Sequence, residues 1–187
     1  GLGLIPGSVV KDGEKFILFY AYGDLFSDNY GKLGSASSSD GITWTDNEML
    51  HFDQESSYVL TRPSVVADGN LWRLWYMREG DNVDWTTSTT ATAYDLSGSG
   101  ACGFGCTMLT TQNTIAFAAS GDSGANWTFW DGNPIFVGAI SQWDSPGVSH
   151  PCAMLDGGLF KMWYTAGPIR DGIARGAIGF AAIPAGR

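Results

Sequence analysis

Asp68-Gly69-Asn70-Leu71-Trp72-Arg73-Leu74-Trp75-Tyr76 decides the fold, because the chain spells this pattern three times. The other copies are Asp12-Gly13-Glu14-Lys15-Phe16-Ile17-Leu18-Phe19-Tyr20 and Asp156-Gly157-Gly158-Leu159-Phe160-Lys161-Met162-Trp163-Tyr164, and all three align without a gap. A short apolar run precedes each: Ser8-Val9-Val10, Ser64-Val65-Val66-Ala67 and Cys152-Ala153-Met154-Leu155. Asp-Gly supplies the positive φ that a two-residue hairpin turn requires, and the residues after it alternate with period two. That alternation puts Phe16 with Leu18, Trp72 with Leu74, and Phe160 with Met162 on one face of a strand. Each copy therefore reads as a β-hairpin.

Working outward, a second element follows each hairpin: Leu33-Gly34-Ser35-Ala36-Ser37, Ile115-Ala116-Phe117-Ala118-Ala119 and Ile178-Gly179-Phe180-Ala181-Ala182. Small residues alternate there, as expected where one sheet packs closely on the next. The first two copies run into a Ser/Asp/Gly turn ending in Trp. Ser120-Gly121-Asp122-Ser123-Gly124-Ala125-Asn126-Trp127 matches the Asp-box pattern in full, and Ser38-Ser39-Asp40-Gly41-Ile42-Thr43-Trp44 is one residue shorter. In such a turn the Asp caps backbone N–H groups while the Trp packs beneath. Asn126-Trp127-Thr128 is also a glycosylation pattern, but its place inside this turn argues against modification. The unit is strand, turn, strand, link, strand, turn, strand, which is one four-stranded antiparallel blade of an all-β propeller.

The Asp-Gly marks stand 56 residues apart (12 to 68) and then 88 apart (68 to 156). The extra length is an insertion at about 81–113, rich in Thr, Ser and Gly, expected to project as a long loop. Residues 1–187 thus form a single β-propeller domain with blade repeats at about 4–55, 60–140 and 148–187. The third repeat stops after its third strand. Closed propellers typically need four to eight blades, so the chain is either a partial propeller or one whose ring a homo-oligomer completes. A two-fold pair with six blades is the simplest such assembly, and an outer strand is then expected from Gly1–Pro6 or from a neighbour.

Composition narrows the partners. Ten Lys and Arg against nineteen Asp and Glu leave a net charge of −9, which repels nucleic acid and anionic membranes. No apolar run approaches the length needed to span a bilayer. There is no signal-like leader, and because the chain begins at Gly1 any leader or upstream domain is expected to lie outside this stretch. Cys102 and Cys106, in Ala101-Cys102-Gly103-Phe104-Gly105-Cys106, either close a small disulfide loop or stay reduced. Cys152 reads as a small core residue. The glycine-bounded cysteine loop, the Trp content and the scarcity of Lys favour a secreted or periplasmic setting.

The units resemble those of the five-bladed propeller glycoside hydrolases, the broad group of arabinanases, β-xylosidases, invertases and mannoside phosphorylases. The resemblance rests on Arg62-Pro63-Ser64-Val65-Val66 with Asp68-Gly69 and Trp75-Tyr76. It rests equally on Gly147-Val148-Ser149-His150-Pro151, on Asp156 to Tyr164, and on Ile178-Gly179-Phe180-Ala181. It covers nearly all of the chain and about three of the five blades. It implies a carbohydrate-active protein that acts on or binds a glycan or oligosaccharide. Hydrolysis there needs two carboxylates roughly 5–10 Å apart across the scissile bond. In the resembling enzymes an acid commonly stands just before a Pro at the start of an inner strand. The matching positions are Ile5-Pro6, Arg62-Pro63 and His150-Pro151, and none is an acid. A non-catalytic glycan-binding or structural propeller is therefore the alternative.

The catalytic candidates that remain are Glu79, beside Arg78 and Asp81, and Asp144 in Trp143-Asp144-Ser145, which otherwise reads as a loop cap. Arg62 is expected at the funnel mouth, either forking onto a carboxylate or sugar hydroxyls or bridging two blades. His150 is a proton carrier or metal ligand on one reading and a hydrogen-bonded structural residue on the other. No cofactor is certain. Calcium enters through the resemblance, since a central histidine in arabinanase-like relatives often faces that ion through water. Trp44, Trp72, Trp75, Trp127 and Trp163 recur at repeat positions and are expected between blades. Trp85, Trp130 and Trp143 fall outside the repeat and are the candidates for stacking on a sugar ring.

Overall fold

A computed structural model describes residues 3–23, 31–50, 58–82, 111–138, 147–166, 169–170, 173–174 and 177–185, and those residues form strands and turns without a helix. The first sheet runs β1 (Gly3–Asp12), β2 (Lys15–Gly23), β3 (Lys32–Ser38), β4 (Thr45–Met49), in that spatial order. The second runs β5 (Val59–Asp68), β6 (Leu71–Asn82), β7 (Thr111–Ser120), β8 (Thr128–Phe129). The third has three strands, with β10 (Leu159–Ala166) between β9 (Val148–Asp156) and β13 (Ala177–Pro184). A two-stranded hairpin, β11 (Ile169–Arg170) with β12 (Ile173–Ala174), lies between β10 and β13 in the chain. All pairings are antiparallel, so each sheet is a meander of the kind that makes a propeller blade.

The registers superpose. Tyr20 pairs with Gly34, Tyr76 with Ala116 and Tyr164 with Gly179. The small residue is required by contact: a Cβ on Gly179 would sit 2.1 Å from the Tyr164 ring, and one on Gly34 would sit 2.7 Å from the Tyr20 ring. The hairpin turns differ from the sequence expectation by one residue. Asp12, Asp68 and Asp156 close the last strand pairs, so the loops are Gly13-Glu14, Gly69-Asn70 and Gly157-Gly158. The first loop residue has φ of 58–59° in every copy, which is why it is glycine.

The apolar faces meet between sheets. One cluster joins Phe19, Ala21 and Leu33 of the first blade to Trp72, Leu74 and Tyr76 of the second. The other joins Val66, Trp75 and Ile115 of the second blade to Phe160, Met162 and Tyr164 of the third. Rings lock these seams: Phe19 lies edge-on at 6.0 Å from both Trp72 and Trp127, and Trp75 lies tilted at 5.8 Å from Phe160. The Arg73 guanidinium adds a cation–π contact 4.3 Å over Phe160. A polar contact also repeats. Ser8 Oγ accepts from the Val65 N–H at 2.8 Å, and Ser64 Oγ accepts from the Ala153 N–H at 2.9 Å.

Three expectations need correction. Gly3–Pro6 is not a spare outer strand; it begins β1 and pairs with Tyr20–Gly23 of its own sheet. Cys152 is exposed, not core. Trp163 is exposed too, although its repeat equivalents Phe19 and Trp75 are buried. The cause is shared: both residues lie on the face of the third blade turned away from the second, against which no further sheet of the described residues packs.

The Ser/Asp/Gly turns are expected to make the fold acid-sensitive. Asp122 Oδ1 accepts from Ser120 Oγ at 2.7 Å and from the Asn126 N–H at 2.9 Å, while Oδ2 accepts from Asn126 Nδ2 at 2.7 Å. Asp40 Oδ1 accepts from the N–H groups of Thr43 and Ile42 at 2.7 and 2.8 Å. The Asn126 side chain chiefly holds Asp122, and the Thr43 N–H chiefly holds Asp40, each carboxyl lowered from 3.8 to about 2. A depressed carboxyl contributes its full stability above the unfolded value and loses it as pH falls through the folded one. Melting temperature should thus fall between about pH 4 and pH 2, with a shallower fall in Asp122→Asn, whose amide cannot titrate. Circular-dichroism melts across that range test this; identical acid limbs would contradict it.

Candidate functional site

The inner strands β1, β5 and β9 pack side by side, and each carries one extra residue at the same place. In β5 the register runs Thr61 to Met77 and then Ser64 to Trp75, leaving Arg62 and Pro63 opposite Tyr76. In β9, His150 and Pro151 likewise stand opposite Tyr164. In β1 the slip falls between Pro6 and Ser8, opposite Tyr20. This is a β-bulge, which bends a strand and re-aims a side chain, repeated in three blades. The turn spacing (62 − 56 = 6) shows that Pro6 is the equivalent of Arg62, so the sequence alignment on Ile5 is one residue off. Neither residue is an acid, so the missing carboxylate stands.

Arg62 has φ of 53° and His150 φ of 51°, both left-handed. Side chains on such a backbone cost about 1–2 kcal/mol each, and a following proline restricts them further. Proline cannot adopt that φ at position 6. Instead Gly7 lets the first bulge close on the second, since a Cβ there would lie 2.2 Å from the Pro63 carbonyl oxygen. The bulges are therefore in contact across the blade seam, and Arg62 and His150 sit at equivalent levels on adjacent inner strands.

Around them the blades are tied by side-chain hydrogen bonds. Tyr20 Oη donates to Asp46 Oδ1 at 2.8 Å, and burial, reinforced by Asp46, raises that phenol well above its ordinary pKa. In the second blade Asn133 takes the anchoring role: its Nδ2 donates to the Phe117 carbonyl at 2.9 Å, and its Oδ1 accepts from the Phe117 N–H at 2.9 Å. Asn133 Nδ2 also lies 3.4 Å from Tyr76 Oη. His150 Nδ1 and Ser149 Oγ are 2.9 Å apart. Arg62 is half-buried and His150 is exposed.

The remaining candidates are not brought to this place. Trp130 is exposed in the turn after β8, the outermost strand of the second blade. Three strand spacings of about 4.8 Å separate it from β5, so roughly 14 Å of sheet lies between Trp130 and Arg62. Glu79 belongs to β6 by its backbone, paired with Val59 and therefore at the bulge end of that blade. Trp85, Trp143, Asp144, Cys102 and Cys106 lie outside the described residues. Among the described residues no group of three or more His, Cys, Asp and Glu gathers to hold a metal. The bulge itself left a signal: X-Pro before a small-aliphatic run, at a fixed distance from the turn.

No family model matches the chain. It is similar to the uncharacterized protein MT1551 of Mycobacterium tuberculosis strain CDC 1551, 24% identical over 169 residues, which is 88% of this chain and 48% of that protein. The same figures relate it to the uncharacterized protein Rv1502 of strain H37Rv. The chain thus spans about half the length of the curated relatives it matches. Among solved structures, it superposes on Zg3597, a family 117 glycoside hydrolase of Zobellia galactanivorans, with a TM-score of 0.68. That match has 13% identity over 97% of this chain and 52% of the other. It superposes on the catalytic domain of the Coprinopsis cinerea GH62 α-L-arabinofuranosidase with a TM-score of 0.60 and 12% identity, over 95% and 53% of the chains. The fold is that of the propeller glycoside hydrolases.

Proposed function

We propose that the chain belongs to a carbohydrate-active propeller and holds a glycan where the bulges of the inner strands line up. The observation that carries this is the left-handed backbone kept at both Arg62 and His150. Backbone strain persists where the surroundings over-determine it, and it clusters at ligand sites. Arg62 offers a fork of donors to sugar hydroxyls or a sugar carboxylate, and His150 offers a donor and an acceptor. The fold shared with glycoside hydrolases supports a sugar as the ligand. A secreted or periplasmic setting suits that role.

Hydrolysis would require two acids, and Glu79 and Asp144 are the residues assigned to it, one as acid and one as base. A second reading, glycan binding without catalysis, is favoured by Pro6, Arg62 and His150 standing where the resembling enzymes keep acids. A panel of aryl glycosides and plant and bacterial polysaccharides tests both. At 100 times its Kd a ligand stabilises by about 2.7 kcal/mol, which at this size is a rise of roughly 5–11 °C in Tm. At least one glycan should produce that rise. If any glycan is cleaved, Glu79→Gln with Asp144→Asn should abolish release and leave the rise intact; release that survives the pair removes those acids. A panel that neither shifts Tm nor releases sugar sinks the proposal.

A further inference from the structure

Arg62 and His150 stand on strands that no backbone ladder joins. β5 and β9 are the edge strands of two different sheets, so their separation is set by what crosses the seam beside the bulges. An edge strand leaves N–H groups without a ladder partner, and here a side chain of the neighbouring blade takes one. Ser64 is 4% exposed, and its Oγ accepts from the Ala153 N–H at 2.9 Å. The path between the two bulge residues is therefore short: Arg62-Pro63-Ser64, one hydrogen bond, then Ala153-Cys152-Pro151-His150. Each arm contains a buried proline, whose ring fixes φ. The first seam holds a chemically identical contact, in which Ser8 Oγ accepts from the Val65 N–H at 2.8 Å. That one ties β5 to β1, where Pro6 replaces a polar bulge residue. Of the two staples, the one at Ser64 lies between two side chains that can grip a ligand.

We propose that Ser64 is a positioning residue of the glycan site: it holds Arg62 and His150 at the separation at which one sugar meets both. The proposal rests on the glycan reading above. The left-handed backbone at each bulge aims a side chain relative to its own strand, but it does not place one strand relative to the other. The staple removes that remaining freedom. A separation set before binding raises affinity, because ordering two groups at the moment of binding costs free energy. Without the Ser64 hydroxyl the Ala153 N–H loses its acceptor, and the seam shifts to find another. Ser64 touches no ligand in this role; it acts through Arg62 and His150.

Calorimetric titration with the panel glycan that raises the parent's Tm most tests this, with Ser8→Ala as the internal control. Amide hydrogen exchange should show that each variant has lost its own staple: Ala153 exchanges faster in Ser64→Ala, and Val65 in Ser8→Ala. Both should melt a few degrees lower. Ser64→Ala should weaken the glycan about tenfold, whereas Ser8→Ala should change its affinity less than about twofold. In an Arg62→Gly background Ser64→Ala should add less than about twofold, because a residue that acts through another is not additive with it. Ser64→Cys keeps a weaker acceptor and copies the residue at the equivalent position 152. It should fall between the parent and Ser64→Ala, and it carries the comparison if the alanine variant does not fold. Equal affinities in Ser64→Ala and Ser8→Ala, or a Ser64→Ala loss undiminished by Arg62→Gly, would overturn the proposal while leaving the glycan site standing. A panel in which the parent binds nothing removes both.

Discussion

Trp72→Ala is expected to destabilise the fold by about 3–5 kcal/mol, the range for removing a fully buried indole. Trp72 is 2% exposed and fills the seam between the first two blades, edge-on to Phe19. Its Nε1 donates to the Gly69 carbonyl at 3.1 Å, which ties the ring to its own hairpin turn. The Ser/Asp/Gly turn closes over it so tightly that a Cβ on Gly124 would lie 2.8 Å from the ring. The cavity therefore opens at a junction of two sheets and a capped turn, none of which can collapse into it. Domains are stable by only about 5–15 kcal/mol, so the loss is a large share of the total. It should appear as a drop of roughly 6–20 °C in Tm, read by calorimetry at fixed protein concentration. Leu71→Ala, at the exposed neighbouring residue, should change stability by less than about 0.5 kcal/mol. A Trp72→Ala loss below about 1 kcal/mol would mean that the seam is not the core.

The blades were legible in the sequence because every local signal agrees with them. Gly13, Gly69 and Gly157 mark the turns, the residues after them alternate, and Gly34, Ala116 and Gly179 fall opposite the tyrosines. What stayed hidden is whatever depends on register or on a neighbour. A bulge leaves no trace in composition, so Ile5 stood in for Pro6 until the pairing with Tyr20 was in view. Burial in a repeat belongs to the seam and not to the residue. Trp75 and Trp163 share one motif position, and among the described residues only the first has a blade against it. Cys152 looks like core for the same reason and is exposed. The site was half legible: Arg62 and His150 stand out as X-Pro positions, but their strained backbone could not be read from residue types. Trp130 fell outside the repeat and lies at the outer end of its blade, remote from the bulges.

The second large effect concerns those two residues. Arg62→Gly and His150→Gly each remove a side chain from a left-handed backbone that glycine adopts without cost. If the side chains are held there for a ligand, the variants should melt no lower than the parent, because relief of about 1–2 kcal/mol of strain offsets the flexibility that glycine gives the unfolded chain. Binding should suffer instead. A hydrogen bond to a charged group contributes about 1.5–3 kcal/mol, so Arg62→Gly alone should weaken the glycan bound best by the parent on the order of 10- to 100-fold.

The most direct test is therefore a calorimetric titration of the Arg62→Gly/His150→Gly double variant with that glycan, beside its melting curve. Loss of binding with Tm at or above the parent value is the predicted result. Parent-like affinity, or a Tm several degrees lower, would make the two residues blade staples and contradict a glycan site at the bulges.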